Sequence, residues 1–209
     1  WQNWDLTKMN FVASIEDLEA LYGTPGAPSL RKVARQMTPL YRKWIMASRL
    51  CMLATVGPEG TDDSPRGDDG PVVLELDPGT LALPDWYGNN RIDSLRNILR
   101  DGRVSLMFLV PGSNNVVRVN GTAKVTADPD MLQRFEKAGK LPRTVIVISI
   151  REIYSQCARA LMRSRIWTSG DESDGLPSMG DILAEQTAGE EGGHAYDEEW
   201  APRAAKTMW

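Results

Sequence analysis

The chain has 209 residues, 42% of them hydrophobic, enough to bury a real core as one domain with or without an extension. A formal net charge of -4 and a pI near 5.2 argue against general binding to nucleic acid or to anionic membrane surfaces. No apolar run approaches the roughly 18 residues of a membrane helix, and the opening residues do not read as a signal peptide.

In chain order, Ser14 with an acidic first turn and Gly23 beyond it predicts a short helix over residues 14–22. Pro25-Gly26-Ala27-Pro28 is a turn, and a helical stretch from Ser29, interrupted at Pro39, resumes to Ser48. Leu50 to Val56 is a short apolar strand, turned by Gly57-Pro58-Glu59-Gly60 into a return strand from Thr61 to Arg66. Residues 72–76 and 80–83 flank Asp77-Pro78-Gly79 as a second hairpin. Residues 92–99 place Ile92, Leu95, Ile98 and Leu99 at helical spacing, predicting one buried stripe. Residues 103–110 read as a buried strand, and 115–126 alternate as a half-exposed one. A helix from Asp128 to about Ala138, a strand over 144–150 and a helix from Ser155 to Arg163 complete the ordered pattern. From Thr168 onward Gly, Glu, Asp and Ser dominate, with one weak helix from Ser178 to Gln186. Strands spaced by about ten residues with turn signals favour a small antiparallel barrel over a parallel sheet. The fold class is mainly β with inserted helices (α+β).

Two cysteines, Cys51 and Cys157, lie in apolar sequence and form no CxxC pair. They are expected to be buried free thiols of a reducing, cytoplasmic compartment rather than a disulfide. One histidine, His194, in a Gly/Glu-rich tail leaves no basis for a Ser-His-Asp triad or a His-rich metal site, so no metal is expected.

Two stretches carry chemistry. In Gly88-Asn89-Asn90-Arg91-Ile92-Asp93-Ser94, a loop runs into a helix, with Asn90 expected as N-cap and Asp93 as the capping-box acid. Free backbone N–H groups, the helix dipole, the Arg91 guanidinium and the Ser94 hydroxyl make a competent phosphate site. Taken alone, the stretch reads first as an ordinary capped helix with a surface arginine. Upstream, Ser64-Pro65-Arg66-Gly67-Asp68 ends a strand with a break, since Pro65 removes a ladder bond and Gly67 permits positive φ. Arg66 there can neutralise a phosphate and Asp68 can receive a ring donor or pin Arg66. Alone, that stretch is also a surface Arg-Gly-Asp turn.

Together, these two motifs with Leu81-Ala82-Leu83-Pro84-Asp85, Phe108 to Gly112 and Arg118-Val119-Asn120-Gly121-Thr122-Ala123 resemble the FMN-binding split barrels. These are the pyridoxamine 5'-phosphate oxidase-like flavoproteins. Tyr154 to Ala160 and Arg163-Ser164-Arg165-Ile166-Trp167 continue the likeness, which spans roughly Leu50 to Trp167. The resemblance implies a six-stranded antiparallel split β-barrel over 49–167. An N-terminal helical segment (1–48) is expected to pack on it, and the C-terminal extension (168–209), which carries Trp200 and Trp209, reads as either flexible or laid over a partner subunit. The resemblance also implies a homodimer with FMN in clefts between protomers and a small-molecule substrate. Arg66, Asn90, Arg91 and Ser94 would hold the FMN phosphate, Gly67, Asp68 and Asn89 would contact the cofactor beside them, and backbone of Leu83, Pro84 and Asp85 would lie along the flavin's pyrimidine edge. Arg118 would face the other subunit's cofactor. Arg163, Arg165 and Trp167 are further candidates for closing the cleft. The chain departs from the vitamin B6 oxidase itself in lacking its longer basic phosphate motif and its C-terminal Arg/His set. Gln156-Cys157 stands where nearer relatives tend to have His-Cys, so no protein acid or base is assigned. The implied activity is FMN-dependent oxidoreduction. The alternative is a protein of the same fold that binds a flavin, a deazaflavin or haem without turnover.

Overall fold

The computed structural model describes residues 5–209. They divide into two compact units, the first ending at Val33 and the second running from Ala34 to Trp209. In the first unit, Ser14 Oγ accepts from the Asp17 N–H and caps α1 (Ile15–Tyr22), Gly23 follows in a positive-φ conformation, and α2 (Ala27–Arg31) comes next. Neither helix contains a buried residue.

The second unit is built on one antiparallel sheet. Its strands are β1 (Leu50–Gly57), β2 (Gly60–Gly67), β3 (Leu74–Asp77), β4 (Thr80–Asp85), β5 (Arg103–Leu109), β6 (Val116–Thr126) and β7 (Thr144–Gln156). Their order across the sheet is β2-β1-β5-β6-β7-β4-β3. Both predicted hairpins form, β1 with β2 and β3 with β4. The sheet has seven strands rather than the six that the resemblance implies, and among the described residues no ladder joins its two edge strands, β2 and β3.

Pro39 does not interrupt a helix but starts one. It is the first residue of α3 (Pro39–Ile45), where its missing N–H costs nothing, and Thr38 caps it. The core lies on one face of the sheet: Cys51, Leu53, Leu106, Phe108, Val117, Val119, Ile146 and Ile148 alternate inward, and Met37 and Ile45 join them. Gly121 sits where β6 shifts register against β7, so close to the Ser149 carbonyl that a Cβ would collide with it.

Helix α4 (Asp93–Arg100) packs against β1, β2 and β6. Its buried residues are Ser94, Leu95, Asn97 and Ile98, whereas Ile92 and Leu99 are exposed, so the stripe is narrower than the spacing predicts. Asn97 donates to Thr55 Oγ1 at 3.1 Å in a buried hydrogen bond, and Gly57 leaves the room this amide needs. Cys157 is exposed, contrary to expectation, because β7 runs on to Gln156 and α6 (Arg159–Ser164) starts only after it. α5 (Pro129–Gln133) is correspondingly shorter than predicted.

The chain after Thr168 forms α7 (Met179–Gln186), closed by a Ser178/Asp181 capping box, and α8 (Gly193–Thr207), which the composition hid. Asp197 on α8 accepts from the Gly180 N–H and the Ser178 hydroxyl, and α7 and α8 pack as a pair. No helix among the described residues is long and apolar enough to cross a membrane.

Candidate functional site

β2 is the source of the site. Its alternation turns Asp62, Ser64 and Arg66 to one side and leaves Asp63 and Pro65 exposed on the other. Pro65 is tolerated because β2 is an edge strand. Arg66 Nη1 donates to Asp85 Oδ1 at the end of β4. In a flat sheet β2 and β4 would stand about 24 Å apart at ordinary strand spacing, so this ion pair shows how strongly the sheet curves.

A directional chain of hydrogen bonds runs from this pair to α4. Arg66 Nε donates to Ser64 Oγ at 3.2 Å, Ser64 and Ser94 hydroxyls meet at 3.0 Å, and Ser94 Oγ donates to Asp62 Oδ2 at 2.5 Å. The single Ser94 proton is committed to Asp62, so Ser64 is the donor to Ser94. The break expected at Pro65–Gly67 does not occur: β2 stays paired with β1 through Gly67, and Asp68 just beyond its end is a second hub. It accepts from Trp86 Nε1 at 3.2 Å, from the Gly70 N–H at 3.2 Å and from Lys137 Nζ, which also binds Asp69. Burial opposes the Lys137 charge, but the bonds to Asp68 and Asp69 outweigh it and its pKa is raised; the same ammonium lowers that of Asp69.

Asn90 does not cap α4. Asn90 and Ile92 both take left-handed backbone (φ 62° and 49°), the helix begins at Asp93, and Ile92 occupies the cap position with no side-chain bond. The loop is held instead by Asn89 Oδ1, which accepts from the Arg91 N–H at 3.1 Å, and by Arg91 Nε donating to Asp93 Oδ2 at 2.6 Å. Arg143, at the start of β7, donates from Nη1 to Asn90 Oδ1 at 2.7 Å and lies 4.8 Å above the Tyr87 ring.

These parts surround a single cleft of about 1030 Å³, large enough for a cofactor-sized ligand. Of the predicted residues, Arg66, Gly67, Asp68, Leu83, Pro84, Asp85, Asn89, Asn90, Arg91 and Ser94 line it. Arg118 and Trp167 do not. Arg118 lies on β6, 5.4 Å over the Tyr154 ring, and Trp167 Nε1 donates to the Ser113 carbonyl at 2.8 Å. Sequence reasoning missed Asp62, Ser64, Trp86, Arg143, Met208 and Trp209, which also line the cleft. The period-2 pattern of β2 was a usable signal for Asp62 and Ser64. Nothing local signalled the others.

The profile of the family described as Pyridoxamine 5'-phosphate oxidase matches residues 37–157, more than half of the chain. The chain belongs to the pyridoxamine 5'-phosphate oxidase family. The match takes in β1 to β7 and with them most of the cleft, while α7 and α8, which bring Met208 and Trp209 to it, lie outside. Among solved structures, HupZ of Group A Streptococcus is 22% identical over 57% of this chain and 93% of its own, with a TM-score of 0.46. General stress protein 26 of Bacillus anthracis is 16% identical over 55% of this chain and 88% of its own, TM-score 0.42. A protein named F420 reductase is 17% identical over 57% and 98%, TM-score 0.41. A comparison with curated protein sequences finds no match.

Proposed function

We propose that this family member is an FMN-dependent oxidoreductase acting on a small molecule, a cytoplasmic split-barrel homodimer with the flavin in a cleft completed by the partner subunit. The observation that carries the reading is the meeting of the Arg66 strand end, the Leu83–Asp85 backbone and the Asn89–Ser94 loop in one cleft of a family member.

The donor set suits a phosphorylated cofactor. The Arg66 and Arg91 guanidiniums and the Ser64 and Ser94 hydroxyls supply charge-assisted and neutral donors for phosphate oxygens. Asp85 and Asp93 hold the two guanidiniums in place before a ligand arrives. Binding phosphate at Ser94 requires its proton to turn from Asp62 to the ligand. Leu83 and its neighbours bring backbone and an apolar wall to the ring, beside Trp86 and Val72. FMN, when bound, supplies hydride or electron transfer. Arg118, which does not line its own cleft and stacks over Tyr154, is assigned in this reading to the partner's cofactor. Two free cysteines suit a reducing compartment.

The test is to purify the protein, load it with FMN and follow the flavin absorbance under a nicotinamide donor. Bleaching that recovers in air is the expected result. A stably yellow protein that never bleaches would point instead to a flavin carrier, and a colourless protein that takes up no FMN would end the proposal.

A further inference from the structure

The charges around the cleft almost cancel one another. Asp85 is paired with Arg66, Asp93 with Arg91, Asp68 and Asp69 with Lys137, and Asp62 accepts a hydrogen bond from the Ser94 hydroxyl. Every carboxylate that lines the cleft is therefore engaged. Of the three guanidiniums that line it, Arg143 alone has no carboxylate partner among the described residues. Its contacts are the neutral Asn90 amide oxygen and the face of Tyr87.

We infer that Arg143 is the principal anion anchor of this cleft, the residue that recognises a phosphate-bearing ligand. An anion that binds Arg66 or Arg91 must share that guanidinium with an aspartate already bonded to it, so part of the new attraction replaces an old one. Arg143 offers an uncompensated charge. Donating one N–H to Asn90 and lying over Tyr87 fixes its plane while leaving other donors of the fork for the ligand. The backbone helps to place it, since the Arg143 N–H donates to the Asp85 carbonyl at 3.2 Å and ties it to the end of β4. Arg91, with its side chain 80% exposed and bound to Asp93, is the weaker site.

This inference rests on the flavin reading only for the choice of ligand. Arg143→Gln removes the charge and keeps an amide donor for Asn90. The affinities of wild type, Arg143→Gln and Arg91→Ala are compared for FMN, for riboflavin, which has no phosphate, and for inorganic pyrophosphate, which has no ring. Arg143→Gln is expected to weaken FMN on the order of tenfold or more, the loss typical of a hydrogen bond to a charged group, and Arg91→Ala to weaken it less. Riboflavin binding should be unmoved by Arg143→Gln, and pyrophosphate binding should fall with it. An FMN-to-riboflavin preference unchanged in Arg143→Gln overturns the assignment, as does wild type that binds no pyrophosphate. Pyrophosphate binding that depends on Arg143 in a protein that takes no FMN would sink the proposed function and leave this inference standing.

Discussion

Cys51 and Cys157 are both free thiols, yet they differ in reach. Cys51 is wholly buried on β1, and burial pushes its pKa up to about 12 against a smaller pull downward from Arg66. Because the folded-state value lies above the ordinary 9.0, the thiol's contribution to stability is complete below pH 9 and is lost as pH rises from there toward 12. A thiol reagent at neutral pH should therefore label one equivalent in the native protein, Cys157, and two after unfolding. Two fast-reacting equivalents in native protein would contradict the burial of Cys51. The same contrast marks the limit of reading residues singly. Cys51 lies in an apolar run whereas Cys157 follows Ser155-Gln156, and its place beyond the end of β7 leaves it outside.

Helix α4 shows what happens one level up. Its period and its acidic start were legible, but the residue at which it begins was not. Asn90 and Ile92 turn left-handed before it, because the loop must bring Arg91 back to Asp93 and Asn90 to Arg143. The helix then turns Leu95 and Ile98 to the sheet and leaves Leu99 in solvent. Ile98→Ala is expected to cost about 2–5 kcal/mol in urea unfolding, whereas Leu99→Ala should stay within about 0.5 kcal/mol of wild type. Equal losses in the two variants would mean that the helix presents another face to the sheet. The hairpins were easier to read, since Gly57-Pro58-Glu59-Gly60 and Asp77-Pro78-Gly79 encode their turns locally.

At the scale of the molecule, the α7–α8 pair returns to the cleft. Trp209 meets Trp86 edge-on at 5.2 Å, Lys137 Nζ stands 4.2 Å from the centre of the Trp209 ring, and Lys140 Nζ donates to the Lys206 carbonyl at 3.3 Å. The Asp68 hub thereby joins the β2 end, the β4 end, the turn at Lys137 and the end of α8. Trp209→Ala should release α8, seen as faster amide exchange across Thr207 and the residues before it, with the β-sheet amides unchanged. Exchange in α8 equal to wild type would show that Trp209 does not secure it.

Sequence alone determined what depends on neighbours along the chain: the turn residues, the β2 alternation, the Ser14 cap, and the motifs that mark the family. The tertiary structure alone decided which charges find partners. Asp62 meets Ser94 across 32 residues, Arg66 meets Asp85 only because the sheet curves, and Arg143 and Trp209 reach the cleft from far along the chain. Hydrogen bonds and ion pairs act over a few ångströms of space, so their partners follow the path of the folded backbone and leave no periodic trace in the sequence.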